Sequence, residues 1–186
     1  MDTQIISHNR EKLLNMIAYF IKNTNFCGKT KLFKLLYYSD FRHFKETGKT
    51  ITGLKYYTWQ KGPVPKELFF EFKKPKDDFN ESFLLTKTED DLLRIVPKKK
   101  FDNKHFTKRE IKILENVAFI FKDAKAFKMV KCTHLPNDPW SKTLKDKGED
   151  KEIDYTLAFD NSSESLSFED YKHRIEELSV IKEILP

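Results

Sequence analysis

Lys31-Leu32-Phe33-Lys34-Leu35-Leu36-Tyr37-Tyr38-Ser39-Asp40-Phe41-Arg42-His43-Phe44 is the stretch that decides the fold. Over 32–38 its apolar residues cover most of a helix circumference instead of one stripe. A helix that is apolar nearly all round belongs in the middle of a core. The pattern predicts a helix from Lys29 or Thr30 to about Thr47, with Gly48 as its C-terminal stop. Upstream, Leu13, Leu14, Ile17 and Ile21 recur at helical spacing and predict a helix over 9–22. The Asn and Gly residues of 23–28 mark the turn between the two helices.

Downstream of Gly48 the punctuation becomes dense. Residues 49–65 read as a loop with a short extended piece over Leu54–Gln60, followed by Lys61-Gly62-Pro63-Val64-Pro65. Pro65 suits a first helical turn and suggests a helix across 64–73. Pro75, Asp77, Asp78 and Asn80 suggest a loop over 74–82. Phe83–Thr86 and Leu92–Val96 flank a polar turn, Lys87–Asp91, and read as a β-hairpin, which must pack on helices to be stable. Thr107 and Glu110 form a capping-box pattern that opens a helix over 108–121. A short helix follows at about 124–132, and Asp138-Pro139-Trp140 reads as an N-cap with Pro at the first helical position of another, ending near Lys145. Residues 147–151 read as a charged linker. Ser167 with Asp170 opens a terminal helix bearing Phe168, Tyr171, Ile175, Leu178 and Ile181. The expected class is α+β: a mainly α-helical single domain with a small β-hairpin. Residues 1–146 form the domain, and 147–186 supply a linker and a C-terminal helix.

Composition narrows the setting. The 186 residues are 39% hydrophobic and 34% charged, and 17 Phe, 7 Tyr and 2 Trp give enough aromatic surface for a packed core. No apolar run is long enough to span a membrane, and the first residues lack the pattern of a signal peptide. Cys27 and Cys132 form no C-x-x-C pair, so a reducing cytoplasm is the expected compartment. The net charge of +6 is uneven: residues 1–100 hold 20 Lys and Arg against 12 Asp and Glu, and residues 101–186 hold 15 against 17. A basic N-terminal half suits an acidic protein partner or a nucleic acid, although scattered lysines on a solvated face give the same numbers. Arg, the usual reader of base edges, is scarce.

Catalytic signatures are missing from the sequence. There is no Gly-rich phosphate loop, no GxSxG elbow and no H-E-x-x-H. Cys132 and His134 have metal-ligand spacing but no further ligands nearby, so no metal or cofactor is expected. Asp40 and His43 lie three apart on the central helix, as an acid/base pair or as a structural pair. The most unusual stretch is Tyr56–Pro65. Its three aromatics, lysine, glycine and two prolines can build a rigid platform for a protein partner or for stacked bases, or they can be core beneath a redirecting turn.

The 31–40 segment, the turn Gly48-Lys49-Thr50-Ile51-Thr52-Gly53, the box Trp59-Gln60-Lys61-Gly62-Pro63-Val64-Pro65, the helix start Phe106-Thr107 to Glu110, and Thr133-His134 with Pro139-Trp140 follow one another over about residues 10–145. This ordered set resembles the Panacea antitoxin domain, also described as SocA-like or phage-associated GepA-like. The resemblance implies a bacterial or phage antitoxin that neutralises a cognate protein toxin by direct contact. It also implies a possible adaptor role toward an ATP-dependent protease, and it supplies no catalytic residue. The expected toxin-binding residues are Tyr57, Trp59, Lys61, Pro63 and Val64, with His134 and Trp140 as a second group. A nucleic-acid-binding regulator is the alternative. An enzyme built on Asp40, His43 or His134 is a third reading.

Overall fold

The computed structural model describes residues 2–88 and 93–184; side chains are described over 9–88 and 93–177. Helix α2 (Lys29–Thr47) is the axis of the fold, as its sequence demands. Its buried residues include Leu32, Phe33, Leu35, Leu36, Tyr37, Phe41 and Phe44, and also Lys31, Lys34, Ser39, Asp40 and His43. Helix α1 (Asp2–Asn23) packs beside it through Leu13, Leu14, Met16, Ile17 and Phe20. Helix α1 starts earlier than the periodicity suggested, because residues 2–8 contain no Gly or Pro to stop it. Gly48 closes α2 at φ 70°, and its N–H donates to the Phe44 carbonyl.

After α2 the chain forms two strands, β1 (Tyr56–Trp59) and β2 (Gly62–Pro65), antiparallel around the two-residue turn Gln60-Lys61. The expected loop over 49–65 is therefore a hairpin over its second half. Val64 and Pro65 belong to β2, so helix α3 (Lys66–Glu71) starts later than the expected 64–73. Residues 77–82 are also helical rather than loop, as α4 (Asp77–Ser82). Their acidic residues suit a helix N-terminus, and Asp78 is held by Arg10, whose Nε donates to Asp78 Oδ2 at 2.6 Å. Arg10 also pairs with Glu71, tying α1 to α3 and α4.

The expected second hairpin is present as β3 (Phe83–Lys87) and β4 (Leu93–Pro97), paired from Phe83↔Pro97 to Lys87↔Leu93. Leu92 and the tip of its turn, 89–91, lie outside the described residues. Helix α5 (Lys108–Ile120) opens with the expected capping box: Glu110 N–H donates to Thr107 Oγ1, and Thr107 N–H to Glu110 Oε2 at 2.7 Å. Lys12 Nζ reaches the same carboxylate at 2.6 Å, so the cap also docks α1. Then come α6 (Ala126–Thr133) and α7 (Pro139–Lys147), with Asp138 capping α7 and Pro139 at its first position.

The charged stretch after α7 is laid along β1. Thr58 N–H donates to the Lys151 carbonyl, Asp150 N–H to Thr58 and Ile153 N–H to Tyr56. Strand β1 is thus central and β2 is an edge. Tyr155 stacks on Phe41 at 4.3 Å and donates to the Leu54 carbonyl at 2.7 Å. Helix α8 (Phe168–Ile184) starts behind the Ser167 cap and docks its first turn through Tyr171, 5.4 Å from Phe44. The side chains of Leu178 and Ile181 lie outside those described. The fold is α+β and mainly helical, with two small antiparallel sheets instead of one hairpin.

Candidate partner-binding site

The hairpin β1–β2 is placed by a buried acid. Asp40 Oδ1 accepts the backbone N–H groups of Ile51 and Thr52 at 2.9 Å each. Its Oδ2 accepts the Thr52 hydroxyl at 2.5 Å and the Tyr56 hydroxyl at 2.8 Å. Burial pushes the Asp40 carboxyl above its ordinary range, against the pull of these donors. His43 turns elsewhere: its Nδ1–H donates to the Lys49 carbonyl at 2.6 Å. The two residues therefore fix successive parts of one turn and do not form an acid/base pair with each other.

The far end of the hairpin rests on α2 and α6. Lys34 is 1% exposed, and its Nζ donates to the Pro63 carbonyl at 2.7 Å. Burial pulls the Lys34 amine down to about 7, with the charge of Asp138 acting in the opposite direction. Gly62 sits at φ 91°, where a Cβ would lie 2.6 Å from Thr133 Oγ1 and 3.1 Å from Lys34 Nζ. Only glycine fits there, on both conformational and steric grounds.

The Thr133–Trp140 element locks onto the same junction. Tyr37 donates its hydroxyl proton to Asp138 Oδ1 at 2.6 Å, and Trp140 N–H donates to the same oxygen at 2.9 Å. Burial pushes the Asp138 carboxyl up to about 6, opposed by those two donors and by the charges of His134 and Lys34. His134 donates from Nδ1–H to the Val130 carbonyl at 2.5 Å and lies 4.0 Å from the Trp140 ring. The Trp140 indole N–H is buried without a hydrogen-bond partner.

The two predicted groups, far apart in sequence, therefore meet across Gly62, Lys34 and Thr133. They do not all face outward as expected. Lys61 and His134 are exposed, and Tyr57 and Trp59 are half-buried. Pro63, Val64 and Trp140 are buried. Pro63 and Val64 are covered on opposite faces of the edge strand, and Trp140 is buried against the His134 ring. The outer face is extended by residues the sequence reading passed over. Trp59 donates Nε1–H to Asp150 at 2.8 Å and packs edge-on against Phe69 at 4.8 Å. Lys29 lies 4.3 Å above the Phe69 ring, and Lys66 lies 4.2 Å above Tyr57. Lys34 did carry a signal, a lysine on the apolar arc of a core helix. Asp138 showed only its capping role.

Among the described residues, no group of three or more His, Cys, Asp or Glu side chains is placed to hold a metal ion. No described helix is long and apolar enough to cross a membrane.

The junction of α2, hairpin and α6–α7 coincides with a family signature. The family described as "Antitoxin SocA-like, Panacea domain" matches residues 32–141, which runs from the start of the α2 core to just beyond Trp140. The match spans more than half of the chain, and the protein belongs to that family. Membership supports an antitoxin role, with a toxin as partner in general, and suggests a non-catalytic protein. No curated protein and no solved structure matches the chain.

Proposed function

We propose that this protein is a cytoplasmic antitoxin that neutralises a cognate protein toxin by direct binding. The contact face is the solvent side of the β1–β2 hairpin and the adjoining α6–α7 turn. Tyr57, Trp59, Lys61 and His134 touch the toxin, and Pro63, Val64 and Trp140 hold those residues in position. The observation that carries this reading is the convergence of both motif groups on Gly62, packed against Lys34 and Thr133. Residues from three separate segments thus present one rigid surface that offers aromatic anchors and a free ammonium. The basic N-terminal half favours an acidic patch on the toxin and a salt-sensitive on-rate.

The test is co-expression with the adjacent open reading frame, each gene induced alone and together, followed by co-purification. The expected result is growth arrest by the neighbour alone, relieved in a stable complex. In that complex Trp59→Ala weakens binding at least about tenfold, as for a central aromatic anchor. A toxic neighbour that is neither rescued nor bound overturns the reading. Wild-type affinity in Trp59→Ala and Lys61→Ala overturns the assigned face. A toxin half-life shortened by this protein in the presence of an ATP-dependent protease extends the role to proteolytic delivery.

A further inference from the structure

A second surface lies where the α1–α2 turn meets the α5–α6 turn. The two turns are clamped together: Asn25 N–H donates to the Lys122 carbonyl at 2.8 Å. Buried Lys31 donates from Nζ to the carbonyls of Asn25, Phe121 and Lys122 at 2.7, 2.7 and 3.0 Å. On this rigid base Phe26 adopts φ 56° and is 65% exposed. The left-handed region is costly for a bulky side chain, and here the ring is not rewarded by burial. On the helices either side of the α5–α6 turn Phe119, Ile120 and Phe127 are also exposed, at 83%, 61% and 55%. Large apolar side chains are thus exposed in the first turn and on both helices that the second turn joins.

The charges around this patch are mostly positive. Lys122, Lys125, Lys128 and Lys131 recur every third residue, and none makes an ion pair among the described residues. Lys125 lies 5.7 Å from the Phe26 ring, and Lys131 lies 6.0 Å from Phe127. One acid, Asp123, lies within this stretch, and its carboxylate accepts from the Asn25 amide at 2.7 Å. Rings that need apolar cover, fringed by uncompensated ammonium groups, complement a segment that carries both apolar and carboxylate side chains.

We propose that Phe26, Phe127, Lys125 and Lys131 form a docking surface for an acidic amphipathic segment of a partner protein. Its apolar side chains cover the two rings, and its carboxylates meet the lysines. The strained Phe26 is kept for display and not for folding. This surface is separate from the hairpin face, and its test needs no toxin.

The probe is a synthetic peptide about four helical turns long, with Leu at helical spacing and Glu between. Binding is followed by backbone amide NMR shifts at about 0.05 M salt. The expected shifts are confined to residues 25–27 and 119–131. Affinity falls about tenfold near 0.3 M salt, as screened charge pairs require. Phe26→Gly is the decisive variant, because glycine accepts the positive φ while removing the ring. It is expected to lower peptide affinity at least about tenfold with Tm unchanged or raised. The double variant Lys125→Glu with Lys131→Glu, at exposed positions, is expected to abolish binding with the fold intact. Shifts scattered over lysines elsewhere overturn the proposal. So does equal binding of a peptide with Lys in place of Glu, or tighter binding of oligothymidine at this patch. A lowered Tm in Phe26→Gly, or wild-type affinity in either variant, overturns it as well.

Discussion

The turns at the two ends of α2 are organised by buried charges of opposite sign. At the N-terminal end Lys31 gathers three backbone carbonyls. At the C-terminal end Asp40 gathers two backbone N–H groups and two hydroxyls. Burial drives both groups toward their neutral forms, lowering the Lys31 amine and raising the Asp40 carboxyl. The turns they hold differ. Beyond Asp40 the positive φ values fall on Gly48 and Gly53, at 70° and 71°, where they are unstrained. Before Lys31 a positive φ falls on Phe26, which is exposed. One turn is fitted to folding. The other holds strain that the clamp makes tolerable, which is what a display element requires.

Removing the two clamps should break this comparison hardest. Asp40→Ala leaves two backbone donors and two hydroxyls unpaired in a fully buried site. A loss of about 3–5 kcal/mol is expected from denaturant unfolding. The β1–β2 hairpin, and with it toxin binding, should fail first. Lys31→Met keeps the buried stem and removes the charged donor. Its expected cost is about 2–3 kcal/mol, smaller because its carbonyls belong to turns that can reach water. Native-state hydrogen exchange separates the two variants. The first should open the amides of 51–65, the second those of 24–28 and 121–125.

The central helix was legible because its apolar residues surround it, a pattern few other structures satisfy. The Thr107–Glu110 cap and the Asp138-Pro139 helix start were legible because capping is local chemistry. The β1–β2 hairpin was hidden by its own prolines. Gly62-Pro63-Val64-Pro65 reads as a chain breaker, yet β2 is an edge strand, where a missing N–H is tolerated. The partner that makes β1 central lies some ninety residues away at 148–153, beyond any local pattern. Residues 77–82 misled in a related way. Acids and Asn that favour turns also favour a helix N-terminus, and Arg10 on α1 decided between them. Three of the seven expected contact residues, Pro63, Val64 and Trp140, are covered: aromatics and prolines near one another do not reveal which will be. Burial of Pro63, Val64 and Trp140 depends on α2 and α6 closing over them.

Lys34 extends the comparison to a buried cation that holds a single carbonyl. Its amine sits at about 7 in the folded protein, against an ordinary 10.5. Between those values the unfolded chain binds more protons, so stability rises with pH across this window and the gain is lost as pH falls to about 7. Wild type should therefore gain about 1.3 kcal/mol over Lys34→Met between pH 8 and pH 9, read as the difference between two denaturant titrations. A flat difference would mean that burial does not hold the amine below its ordinary value.

The finest contrast is between two residues of positive φ, Gly53 and Phe26. Gly53→Ala puts a methyl group into the left-handed region, 2.9 Å from the Asn9 amide nitrogen. The amide ends a flexible side chain that can swing aside, so the backbone term dominates and a loss of about 1 kcal/mol is expected. Phe26→Gly removes a strain of similar size but also loosens the unfolded chain, so its expected effect lies between no change and a gain of about 1 kcal/mol. Opposite signs for these two substitutions in thermal unfolding would show that α2 is entered through a turn shaped by something other than stability. Equal losses would mean that the Phe26 ring contributes to the fold despite its exposure, and the two turns would then be alike.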